Sequence, residues 1–280
     1  MSQTQDWKVV QQHYGDNDIA GRIIDRLRSA GRDLDALTRD DTATFDEFHG
    51  GGRSSTLALA AFAEIEPSQH VLDIGSGIGG PARTLVAEQG CIVTGLELTA
   101  EFIRAADMLN GLLGMTDDVD LIQGSATNIP TRAQAFDLVW SQNMLMNVKD
   151  KAQLFREVFR VTKPGGKFAF ETVIAGEGGA PHLPTFWAAR PDQNFLTKAH
   201  ETGQLAIDAG FIELAFEDTT DAVIANGRKR VAAMHANNTD ELGLDVIVTS
   251  AVAKKMENSI CNNLEGRTGA IRALFQRPDR

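Results

Sequence analysis

Val71-Leu72-Asp73-Ile74-Gly75-Ser76-Gly77-Ile78-Gly79-Gly80-Pro81 is the stretch whose reading decides the fold of this chain. An apolar run from His70 to Ile74 carries one acid and reads as a short buried strand. Gly75, Gly77, Gly79 and Gly80 follow, and without a Cβ they let the backbone turn sharply and approach a ligand closely. Pro81 suits the first position of a helix, where its missing N–H costs nothing, and Ala82 to Gln89 continue that helix. Strand, glycine loop and helix N-terminus together make a cradle for a nucleotide-like ligand.

Gly75, Gly77 and Gly80 also fit the G-x-G-x-x-G spacing, so a dinucleotide enzyme has to be considered. Asp73 argues against it, because a carboxylate at the mouth of the strand repels a pyrophosphate. The same carboxylate suits a ligand carrying an ammonium and a sulfonium. The next strand, Cys91 to Leu96, ends at Glu97, an acid placed to accept both hydroxyls of a ribose. Asp73 and Glu97 as a pair favour S-adenosyl-L-methionine (SAM) as the cofactor.

Further blocks follow in order: Gly124-Ser125-Ala126 through Pro130, Phe136-Asp137 through Ser141-Gln142, and Leu154 to Gly166. With Asp73 to Gly80 and Glu97 they resemble class I SAM-dependent methyltransferases over roughly residues 68–175. The nearest type is the small-molecule sarcosine and dimethylglycine N-methyltransferases. The resemblance implies an α/β fold, a doubly wound, seven-stranded, mostly parallel sheet with N-terminal helices and helical lid insertions. It implies cofactor contacts from Gly51, Arg53, Asp73, Gly75, Ser76, Gly77, Glu97, Leu98, Ser125, Ala126 and Ser141. Many family members carry an acid where Ser125 stands; its hydroxyl still hydrogen-bonds. An aromatic near the N-terminus often closes over the cofactor in this family, which singles out Tyr14, the one tyrosine of the chain.

Residues 1–66 are expected to form a helical cap with a cofactor-covering loop. Residues 67–280 form the SAM-binding core, with lids near 176–195 and 219–265. In the cap, Ile19, Ile23, Ile24 and Leu27 make an apolar stripe on a helix over 8–31, which Gly31 stops. Residues 32–47 read as a short helix and a loop. Gly50-Gly51-Gly52 cannot sit comfortably inside a helix and make a loop before the helix from Ser54 to Ala63. Arg53 is expected to pair with the cofactor's carboxylate. His49 is a candidate base.

Strands are predicted at Val119–Ile122, Ala135–Trp140, Lys167–Val173, Phe211–Phe216 and Ala270–Gln276, with Lys163 to Gly166 as a turn. Thr99 is a plausible N-cap, Asp150 with Gln153 resembles a capping box, and helices follow each. Ligands of parallel α/β sheets sit at the carboxyl ends of strands near the switch in strand order, so Ser141 to Asn147 should border the reacting methyl. Similar N-methyltransferases often have histidine where Asn147 stands; asparagine orients a nucleophile but is no base at neutral pH. One of Met144 and Met146 is expected in the core. His182, Phe186, Trp187 and Arg190 are the substrate candidates of the first lid. The second lid reads as two helices around a turn at Asn237, with Lys254-Lys255 on a solvated face.

The chain has 280 residues, 42% of them hydrophobic, which suffices for a full core. Its 27 basic and 38 acidic residues give a net charge of −11, which disfavours nucleic-acid and anionic-membrane partners. Two cysteines, Cys91 and Cys261, support neither a disulfide framework nor a metal site, and no catalytic metal is implied. The start lacks a basic segment followed by an apolar one, so a cytoplasmic protein without a signal peptide is expected, as monomer or homodimer. The function expected is methyl transfer from SAM, by in-line displacement, to a small soluble acceptor, with Asn147 and His49 as the catalytic candidates. An amine is favoured, because a neutral amine needs no strong base. The alternatives are O-, S- or C-methylation of a small molecule, a SAM-fold binding module without turnover, and, less consistent with Asp73, a dehydrogenase.

Overall fold

The computed structural model describes residues 18–235, 242–248 and 251–279. Tyr14, the first part of the helix expected over 8–31 and the turn at Asn237 lie outside the described residues. Seven strands form one sheet: β1 His70–Ile74, β2 Ile92–Glu97, β3 Val119–Gln123, β4 Phe136–Gln142, β5 Thr162–Ala175, β6 Ile212–Asp218 and β7 Thr268–Gln276. Their order is β3-β2-β1-β4-β5-β7-β6, parallel from β3 through β5 and antiparallel where β7 inserts between β5 and β6. This is the doubly wound, mostly parallel sheet expected. Strand order reverses between β1 and β4, which opens a crevice at their carboxyl ends.

Helices cover both faces. α1 (Ile19–Ser29), α2 (Arg39–Asp46) and α3 (Arg53–Ala63) precede the sheet; α4 (Gly80–Gln89), α5 (Ala100–Leu112) and α6 (Lys151–Val161) follow β1, β2 and β4. α7 (Ala199–Asp208) precedes β6, and α8 (Thr220–His235) and α9 (Val252–Leu264) lie between β6 and β7. On one face Leu154, Phe155 and Val158 of α6 meet Phe168, Phe170, Phe211 and Phe275. On the other, Leu59 and Ala63 of α3 and Leu85 of α4 meet Val71, Val93 and Trp140. Each fully buried ring contributes roughly 2–3 kcal/mol by leaving water. Within the described residues no helix is long and apolar enough to cross a membrane.

The N-terminal helices are fastened to the sheet in two ways. Ile19, Ile23 and Leu27 of α1 are buried with Phe45, against Ile78 and Phe102 of the core and Leu242 and Val246 of the second insertion. Below them lies a buried ion cluster. Asp46, at the end of α2, takes Arg39 at 2.5 Å and Arg83 of α4 at 2.9 Å. Arg83 also donates to the Ile78 carbonyl at 2.7 Å and to Asn110 of α5 at 2.9 Å. The chains come this close because residue 80 has no side chain: a Cβ there would stand 2.1 Å from the Asp46 carbonyl oxygen.

Three local readings change. Lys163 to Gly166 is not a turn between elements but a bulge within β5, where pairing jumps from Phe136–Thr162 to Leu138–Lys167. Asp150 accepts from the Gln153 N–H at 3.0 Å, but Gln153 sends its amide to the Thr127 carbonyl, so the capping box is half formed. Lys254 pairs with Glu257 at the surface, whereas Lys255 is buried.

Candidate active site

β1 delivers Asp73 to the mouth of the crevice and β2 delivers Glu97 beside it; Asp73 is level with Gly95 and Trp140. The Gly75 and Ser76 N–H groups donate to the Leu96 carbonyl at 2.8 and 3.2 Å, which curls the glycine loop over β2. Gly75 has a positive φ, and a Cβ there would stand 2.4 Å from Met144 Cγ. Gly77 also has a positive φ, yet nothing lies within 4 Å of where its Cβ would be; that side faces open space. Glu97 holds the loop from below, accepting the Gly77 N–H at 3.0 Å on one oxygen and the Thr99 N–H at 2.8 Å on the other.

A cavity of about 310 Å³ runs from this loop across the carboxyl ends of β1, β4 and β5. Gly51, Gly75, Ser76, Gly77, Glu97, Leu98, Ser125 and Ala126 all line it, as do His49, Asn147, Met144 and Met146. Asp73 is buried at the end of β1, beneath the lining residues Ile74 to Gly77, and does not itself line the cavity. Ser125 turns its hydroxyl to Thr127, accepting the Thr127 N–H at 3.2 Å.

Two further expected cofactor contacts, Arg53 and Ser141, also lie outside the lining. Arg53 opens α3 on its outer side, where its guanidinium pairs with Asp40 at 2.7 Å and with Glu88 of α4. It does not line the cavity. Ser141 is buried one strand position before the cavity and donates to the Ile74 carbonyl at 3.1 Å, tying β4 to β1. Of the candidates at 176–195, Phe186 and Trp187 reach the cavity. His182 pairs with Glu265 at 2.8 Å and Arg190 with Asp192 at 3.1 Å, both at the surface.

Two groups at the inner end are missing from the sequence reading, Glu47 and Glu171; Gln142 belongs to the stretch Ser141 to Asn147 expected there. Glu47 is buried and accepts from His49 Nε2 at 3.0 Å and from the Thr56 hydroxyl at 2.8 Å. Thr56 lies 3.0 Å from Gln142 Oε1, which links the pair to β4. Glu171, on β5, lines the cavity and accepts the Ser55 hydroxyl at 2.6 Å. A lone acid near the carboxyl end of the apolar run Phe168-Ala-Phe-Glu171 was the available signal.

The electrostatics are those of a site built for positive charge. Burial, with the nearby Glu47 and Glu97 carboxylates, pushes Asp73 up to about 8. Burial also raises Glu97, against the opposing pull of the Thr99 and Gly77 N–H groups. Burial raises Glu171 too, with the Ser55 hydroxyl and His49 opposing. For Glu47 burial acts upward, but the hydrogen bond and charge of His49 outweigh it and the carboxyl stays below its usual range. Asp73 Oδ2 and Ser76 Oγ are buried and have no partner among the described residues. These two orphaned atoms, the open side of Gly77 and the clustered acids fit a ligand carrying an ammonium and a sulfonium. No cluster of His, Cys, Asp and Glu among the described residues could hold a metal ion.

Residues 72–170 match a family model described as a methyltransferase domain. The chain is 31% identical over 167 residues to a sarcosine/dimethylglycine N-methyltransferase of Halorhodospira halochloris, covering 56% of each. It is 28% identical over 218 residues to a phosphoethanolamine N-methyltransferase of Triticum aestivum, covering 75% of this chain and 42% of that one. The chain thus spans about half the length of these curated relatives. The fold matches a crystal structure of geranyl diphosphate C-methyltransferase from Streptomyces coelicolor with a TM-score of 0.66, at 18% identity and 97% coverage of both chains.

Proposed function

Because residues 72–170 are a methyltransferase domain of the class I type, whose cofactor is S-adenosyl-L-methionine, we propose that this chain methylates a small molecule, most readily an amine. The observation that carries the proposal is one continuous cavity joining the glycine loop to His49, Asn147 and Glu171. SAM supplies a methyl carbon on a cationic sulfur, to which an acceptor's lone pair bonds as the carbon–sulfur bond breaks and sulfur keeps the pair.

The chain's own residues bind, orient and take a proton. Asp73 and Ser76 offer acceptors for the ammonium side of the cofactor, Glu97 faces its ribose, and Leu98, Ser125 and Ala126 border its base. Gly51 and the loop before α3 cover it. Asn147 hydrogen-bonds the acceptor and holds it in line, so proximity carries much of the rate. His49, whose Nε2 hydrogen-bonds Glu47, takes the proton an ammonium must lose before its lone pair can attack. The presence of this carboxylate–histidine pair weakens the argument from asparagine at 147, since a base is available from the other wall. The acidic surroundings of the inner end are what now favour an amine.

Labelled methyl transfer from SAM into a metabolite extract, read by mass spectrometry, tests the proposal. His49→Ala should lower kcat by about tenfold to a hundredfold while S-adenosylhomocysteine binds as before. A protein that binds S-adenosylhomocysteine but labels alcohols and no amines would sink the amine reading.

A pH dependence follows from Asp73. With its pKa at about 8 in the folded protein, against 3.8 as the ordinary value, the ligand-free fold holds a proton that the unfolded chain has lost. Between those pH values this group's contribution to stability therefore falls as pH rises. Cation binding requires the ionised form, so SAM affinity should rise between pH 6 and 7.5, by up to about tenfold per pH unit. Above that the ligand's own amine begins to titrate. Calorimetric titration should show the slope in the native protein and a flat profile in Asp73→Asn.

A further inference from the structure

We propose that the inner half of the cavity selects an apolar amine, with Glu171 as its single charged anchor. This rests on the methyl-transfer reading above and narrows its acceptor. The walls over β5 and β7 carry Phe48, Val173, Phe186, Trp187, Val223 and Met256, with Ser259, Asn263 and Thr268 as polar members, so much of a bound acceptor's surface would meet carbon. Phe48 of the cap and Phe186 of the first lid meet edge to face with centroids 6.2 Å apart, an aromatic corner of the kind that accommodates alkylammonium groups.

Glu171 is the one acid on that half among the described lining residues, 6% exposed. A buried carboxylate needs a cation or several donors. The protein gives it the Ser55 hydroxyl at 2.6 Å and a hydrogen bond from the Gln142 side chain, with His49 and Arg272 close enough to act on its charge. Its register partner on β7, Arg272, has the reach but sends its guanidinium to Glu217 at 2.5 Å and lies over the Phe62 ring at 4.6 Å. Gln142, also on the wall, turns its side chain toward Glu171 and helps to lower its pKa. A cationic ligand would add a charged group in direct contact, where Ser55 and Gln142 offer Glu171 only neutral donors.

The same walls speak against acceptors with their own negative charge. No lysine or arginine among the described residues lines the β5–β7 half; Lys149, the lysine that does border the cavity, belongs to the segment after β4, next to Asp150. A carboxylate or phosphate on the acceptor would face Glu171 and aromatic rings.

The test uses the full chain saturated with S-adenosylhomocysteine and four probes in calorimetry: phenethylamine, its neutral isostere 2-phenylethanol, sarcosine and phosphoethanolamine. Phenethylamine should bind at least about tenfold more tightly than each of the other three, and Glu171→Gln should abolish its advantage over the alcohol without changing S-adenosylhomocysteine binding. The native ranking needs no variant, so it stands even if the substitution unfolds the protein. Tighter binding of sarcosine or phosphoethanolamine, or an advantage that survives in Glu171→Gln, overturns the inference. Labelled methyl transfer separates it from the reading beneath it. Turnover of sarcosine, or of an isoprenoid alkene at carbon, keeps the transferase and overturns the apolar amine. Glu171-dependent amine binding with no labelled product does the reverse.

Discussion

Arg83→Met should lower stability by about 3–5 kcal/mol, the cost of leaving a buried charge without its partner. For a chain of this size that shifts the thermal midpoint by roughly 10 °C. Arg83 is fully buried, and its guanidinium meets Asp46, the Ile78 carbonyl and Asn110 at once. Methionine fills much of the volume but takes one of two cations from Asp46 and the donor from the Ile78 carbonyl and Asn110. Asp46 would keep Arg39 alone. The native cluster also leaves a signature in acid. Burial pushes the Asp46 carboxyl up, but Arg83 and Arg39 together outweigh it and hold the pKa below the usual range. Its stabilisation is therefore complete above the ordinary carboxylate pKa and lost as pH falls through the depressed one. In Arg83→Met the acid-unfolding midpoint should move to higher pH. Thermal and acid melts of the variant, with Arg104→Ala as control, check both parts. Arg104 pairs with Glu101 on the exposed face of α5, so that substitution should change stability by no more than about 0.5 kcal/mol.

Glu97→Gln should weaken S-adenosylhomocysteine binding about a thousandfold, roughly 4 kcal/mol. The change looks conservative and is not. Both oxygens of Glu97 already accept backbone N–H groups, from Gly77 and Thr99. A glutamine has one oxygen, so its NH₂ must face one of those donors. The glycine loop loses its tie on one side, and a buried N–H is left unpaired at a cost of about 1–3 kcal/mol. The ribose, in the proposed site, loses an ionised acceptor as well. Calorimetry on a variant shown to melt cooperatively would check this; affinity within tenfold of native would remove Glu97 from the cofactor site.

The parallel half of the sheet was legible because each strand is a short apolar run with clear punctuation. Gly75 to Gly80 mark the first crossover, Thr99 stands at the N-terminus of α5 without a side-chain cap bond, and Asp150 caps α6. Arg53 was misread because proximity in sequence to a glycine loop says nothing about direction. The first turn of α3 points residue 53 outward, where Asp40 and Glu88 wait, while residue 55, about 200° further round, reaches Glu171. Ser141 and Gln142 show the same limit in a strand: side chains alternate, so one hydroxyl is spent on β1 while the next residue meets the cavity. Glu47 and Glu171 were invisible as a site because they come from a cap loop and a fifth strand far apart in sequence. Only the folded β4–β5 pairing and the seat of α3 bring His49, Gln142 and Glu171 onto one wall.

The place of β7 has a consequence for the order in which the molecule is made. β5 and β6 are both its neighbours, and neither pairs with the other. While the chain is being synthesised, the far edge of β5 therefore stays open through the making of the first lid, α7, β6, α8 and α9. β6, which carries the exposed Ile212 and Leu214, has no partner strand at all in that interval. Open strand edges are templates for pairing with other chains. The nascent protein is thus most exposed to aggregation just before its final strand arrives, and closing the sheet and completing the inner wall of the cavity are one event.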